Sequence, residues 1–80
     1  MGKVDLVQVI ATAVELTQAR LHSDQVTLKW TPPVERVFAW GGEVRLVQVF
    51  VNLINNAADA MVGQADKQIT VVLESADRLT

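Results

Sequence analysis

Arg45, Gln48, Asn52, Asn56 and Asp59 follow one another at spacings of 3, 4, 4 and 3 along "EVRLVQVFVNLINNAADAM". Residues three and four apart share one face of an α-helix, so these five form a single polar stripe. Amide oxygens are hard, neutral donors. Mg²⁺ takes oxygen ligands, draws one or two from protein and fills the rest with phosphate and water. Asn52 and Asn56, one turn apart, could offer such ligands to a metal carried on a nucleotide. Asn55 lies roughly 100° around the helix from Asn56 and off that line. Asparagine is a poor helix former, and three of them cost about 2 kcal/mol relative to alanine. A contact elsewhere has to offset that cost.

The stripe has two explanations. It could be an ordinary solvent face, or it could line a cleft. Solvent faces usually carry Lys and Glu, which favour helix, whereas this one carries amides. The rest of the segment is mostly Val, Leu, Ile, Phe and Ala, apolar over more than the usual third of the circumference. Such a helix is expected to be largely covered, with its polar stripe facing a cavity or cleft.

Other elements must position this helix. "VDLVQVIATAVELTQARLH" begins with Asp5 three residues before Gln8, the spacing of a capping box. Val7, Ile10, Val14 and Leu21 then recur at helical spacing, beside Ala11 and Ala13, which predicts a helix over about residues 5–22. "QVTLKWTPP" alternates with a period of two. Val26, Leu28 and Trp30 take one face, Thr27, Lys29 and Thr31 the other, and Pro32 and Pro33 end the strand. "VERVFAW" reads as a second short strand that pairs with the first as an antiparallel hairpin. The helical period returns from Gly42 to about Met61, "GQADK" is a loop, and "QITVVLESA" is a last strand with Ile69, Val71 and Leu73 on one face. Strands this short need helices to bury a face, so the expected fold is α+β, a two-layer sandwich in the order helix–strand–strand–helix–strand.

The composition narrows the classes. The chain has 80 residues, half of them hydrophobic and a fifth charged, with a net charge of −2 and no cysteine. One small globular domain follows, without thiolate metal sites or cysteine nucleophiles. Lys and Arg are scattered singly, which argues against a nucleic-acid surface. No apolar run approaches a membrane span, and the first residues lack the apolar core of a secretory signal.

"EVRLVQVFVNLINNAADAM" resembles the N-box of the ATP-binding catalytic domain of sensor histidine kinases. That family shares a Bergerat-type nucleotide fold with DNA gyrase, Hsp90 and the mismatch-repair ATPases. The matching residues are Arg45, Leu46, Gln48, Val49, Asn52, Leu53, Asn56, Ala57 and Ala60. The ending "NAADAM" is similar to the branch of nitrogen-regulation and dicarboxylate-transport sensors. The resemblance implies that Asn56 is the principal Mg²⁺ ligand, bridging to the phosphates of ATP, with Asn52 the second polar group one turn earlier. Relatives that hydrolyse ATP carry a water-activating glutamate where Asn52 stands, and an amide there suits phosphoryl transfer to a histidine. Arg45 and Gln48 are divided evenly between phosphate-side roles and helix-surface packing. Gly42 stands where the family often has a capping aspartate. Asp59 occupies a position where many kinases carry a Lys or Arg near the phosphates, a departure from the family's pattern.

The family's D-x-G-x-G box, whose aspartate reads adenine, does not occur in the 80 residues. The expectation is a partial catalytic domain over residues 1–80 that holds the Mg²⁺ side of the site. Alone, such a chain should bind ATP weakly or not at all and associate as a homodimer or swapped oligomer. The implied parent is an inner-membrane sensor with this domain in the cytoplasm, partnered by a histidine-bearing dimerisation domain and a response regulator. Alternatives are an ATPase or anti-sigma serine kinase of the same fold, or a small interaction module whose asparagines only bond between helices. His22, the sole histidine, is followed by Ser23 rather than an acid and is assigned to the helix end, not to phosphoacceptance. Trp30 and Trp40 are assigned to packing rather than base stacking.

Overall fold

The computed structural model describes residues 2–73. Their elements run β1 (Gly2–Asp5), α1 (Leu6–Ser23), β2 (Thr27–Trp30), β3 (Phe38–Gly41), α2 (Glu43–Ala60) and β4 (Gln68–Val71). The class is α+β, as the periodicities require.

Both ends of α1 are locally encoded. Asp5 caps it, its carboxylate accepting from the amides of Val7 at 3.0 Å and Gln8 at 3.4 Å, which satisfies two of the donors a helix start leaves open. At the other end the Gln25 amide donates to His22 O at 3.1 Å and the Val26 amide to Leu21 O at 2.8 Å. That pair of bonds is a Schellman motif, and the apolar Leu21–Val26 contact that accompanies it lies in the core. Gln25 holds the left-handed conformation, φ 59°, where glycine is usual.

The buried face of α1 is Val9, Ile10, Ala13, Thr17 and Leu21. Val9 and Thr17 belong to it although neither was picked out by the apolar periodicity, while Val7 and Val14 are only half-buried. Thr17 avoids an unsatisfied hydroxyl by donating to Ala13 O at 2.9 Å.

Strand pairing departs from the expected hairpin. β2 pairs in parallel with β4, Leu28 opposite Ile69 and Trp30 opposite Val71. β3 pairs antiparallel with β1, Val4 opposite Ala39 and Asp5 opposite Phe38. The seven residues Thr31–Val37 between β2 and β3 include Pro32 and Pro33, which lack ladder donors, and they carry β3 away from β2. β1 was not expected, because four residues running straight into a helix cap offer no alternation to read. Register within β2 and β4 agrees with the period of two. Val26 and Ile69 are buried, Leu28 and Val71 half-buried, Thr27, Lys29 and Thr70 exposed. The last strand was expected to continue through residue 76 with Leu73 on its inner face, but β4 ends at Val71, residues 72 and 73 are not in strand, and residues 74–76 lie outside those described.

α1 and α2 lie side by side, and Leu21, Val26, Ile54, Ala58 and Ile69 join them to the β2–β4 pair in one core. Among the described residues no helix is long and apolar enough to cross a membrane.

Candidate functional site

α2 opens at Gly42, whose backbone is extended and which gives no side-chain cap; Glu43 in the first turn sits where negative charge suits the helix dipole. Only Ile54 and Ala58 of α2 are buried. Val44 is 81% exposed, Leu53 57% and Val49 45%. The expectation of a largely covered helix is therefore wrong: two small sheets and one neighbouring helix cannot enclose so wide an apolar surface. The polar stripe faces outward rather than into an enclosed cavity.

All five residues of the stripe lie on this helix, and Arg45, Gln48, Asn52, Asn56 and Asp59 are all exposed. Arg45 and Gln48 line a shallow groove with Gly42, Glu43, Val44 and Val49. Gln48 also borders a groove of about 440 Å³ between the helices, walled by Thr12, Leu16, Val44, Val47 and Val51. Asn52 and Asn56 stand one turn apart with their amides accessible. Within the stripe, the side-chain hydrogen bond seen among the described residues belongs to Asp59.

Asp59 is bonded from the neighbouring helix. Arg20, in the last turn of α1, donates through Nη2 to the Asp59 carboxylate. Its Nη1 donates to Asn55 Oδ1 at 3.2 Å and to Asn55 O at 3.4 Å, and its Nε to Asp24 at 3.1 Å. The guanidinium thus spans both helices and the end of α1. Its pKa is raised, first by the hydrogen bond to Asp59 and then by that to Asp24. Asn55, which had no chemical role by spacing, is an interhelical acceptor. Arg20 itself was missed, because no periodicity links it to Asp59 across 39 residues. Lys67 adds a second tie, its ammonium donating to Asp24 O at 3.3 Å.

His22 and Trp40 are both exposed. His22 is exposed at the end of α1, its carbonyl used in the C-terminal cap. Trp40 is 78% exposed on β3, opposite Lys3 in the register, rather than packed.

Among the described residues no three His, Asp or Glu side chains converge as a metal cage. Asn52 and Asn56 are exposed on α2, and a pair of amide oxygens of that kind could serve only an ion that keeps most of its water and phosphate ligands. No protein-family model, curated protein or solved structure matches the chain.

Proposed function

We propose that this chain is the N-box portion of a histidine kinase catalytic domain, working in the cytoplasm as part of an inner-membrane sensor. The observation that carries it is the N-box pattern on α2 together with two accessible asparagine amides one turn apart. Asn56 and Asn52 would hold Mg²⁺, which when bound neutralises the phosphate charge during transfer. Neither residue can act as a base toward water, which favours transfer to a histidine of the dimerisation domain over hydrolysis. Arg45 and Gln48 border the groove at the N-terminal half of the same helix, where Arg45 would meet phosphate or the acceptor domain. The phosphohistidine would then supply a response regulator.

One observation favours a different class. Asn55 spends its side-chain oxygen on an interhelical bond with Arg20, which is what an interaction module with purely structural asparagines would do. Among the described residues Asn52 and Asn56 have no such bond.

The complete gene product, incubated with Mg²⁺ and γ-labelled ATP, decides between them. Acid-labile, base-stable label that disappears in Asn56→Ala is expected. Free phosphate instead would identify an ATPase, acid-stable label on a partner a serine kinase. A partner complex indifferent to Asn56→Ala, with no labelling, would overturn nucleotide function altogether.

A further inference from the structure

Asp59 presents a difficulty for a phosphate-facing helix. It lies three residues beyond Asn56 on the same stripe, so their β-carbons sit about 5–6 Å apart. A bare carboxylate there would repel a triphosphate held at Asn56. The carboxylate is not bare, because the Arg20 guanidinium reaches across from α1 and bonds to it. The same guanidinium holds Asn55 by its side chain and its backbone oxygen. Those two contacts sit on the turn that carries Asn56.

From this juxtaposition we infer that Arg20 is a positioning residue for the nucleotide site, cancelling the charge of Asp59 and setting the rotation of α2 about its axis. It rests on the Mg-nucleotide function proposed above. Arg20 touches neither metal nor phosphate in this scheme. It acts through Asp59 and Asn55, and the cation is supplied by a different helix from the one that carries the amides. Asp24 shares the guanidinium at 3.1 Å and keeps it at the end of α1 when Asp59 is removed.

The test is Mg-ATP affinity of the complete gene product by calorimetry, for wild type, Arg20→Gln, Asp59→Asn and the double variant. Exposed charges at this range are worth about two- to fivefold in affinity. Arg20→Gln is expected to weaken binding by about that factor, Asp59→Asn to tighten it, and the double variant to return close to wild type. The loss in Arg20→Gln should shrink when salt is raised from about 0.15 M to about 1 M, where screening lengths fall from about 8 Å to about 3 Å. A purely structural arginine would give neither rescue by Asp59→Asn nor relief by salt, and that result overturns the inference while leaving Mg-ATP binding in place. Absence of Mg-ATP binding in wild type would overturn both. If Arg20→Gln does not fold, Asp59→Asn decides alone: unchanged or weaker binding refutes the charge role.

Discussion

Arg20 on α1 donates to the side-chain oxygen of Asn55 on α2 at 3.2 Å, joining the helices at their C-terminal ends. Asn55→Ala gains helix propensity but leaves the guanidinium one acceptor short. In a double-mutant cycle Arg20→Gln and Asn55→Ala are expected to be non-additive, each costing less once the other is present. Additive effects would mean that the bond contributes nothing in solution. Because the Arg20 pKa is raised, its contribution is fully present below its unfolded value and is lost only as pH climbs through the folded one, far into alkali. The stability gap between wild type and Arg20→Gln should stay flat from about pH 7 to about pH 9.

Asn52 and Asn56 are exposed, so their helix cost is not offset by the fold itself. Asn52→Ala and Asn56→Ala are each expected to stabilise the chain by about 0.5 kcal/mol in urea melts. If the proposed kinase function holds, the same changes should remove phosphoryl transfer, the usual trade of a functional site. Destabilisation by either substitution would show that the amide has a structural partner.

Gln25 carries the left-handed conformation that closes α1. Gln25→Gly removes the Cβ conflict there and should raise stability by about 0.5–1 kcal/mol. A loss of stability on chemical denaturation would argue against that conformation.

Ile69 is buried at the centre of the β2–β4 pair, and Thr70 beside it is exposed. Ile69→Lys should unfold the chain, since burying an unpaired ammonium costs about as much as a domain of this size has to lose. Thr70→Lys should stay within about 0.5 kcal/mol of wild type. Circular dichroism melts of the two variants check the register, and the opposite ranking would move it by one residue.

Much of the local structure followed from residue order. Asp5 and the apolar spacing set α1, the period of two set which side of β2 and β4 turns inward, and the helical period returning from Gly42 marked the start of α2. These are short-range effects of sterics, capping and burial, and they depend on neighbours within a turn or two. The stripe of Arg45, Gln48, Asn52, Asn56 and Asp59 was legible for the same reason, since one helix fixes their common face.

Tertiary structure decided which surfaces those elements cover. Strand partners depend on where the Thr31–Val37 connection delivers β3, and backbone hydrogen bonds carry no residue code, so the parallel β2–β4 pairing and the β1–β3 pairing were not readable in advance. Nor was the exposure of α2, which depends on how much neighbouring surface the fold supplies. The link from Arg20 to Asn55 and Asp59, 35 and 39 residues away in sequence, exists only because the two helices lie side by side. It places a cation beside the one carboxylate of the stripe and separates Asn55, bonded between the helices, from Asn52 and Asn56, which are exposed.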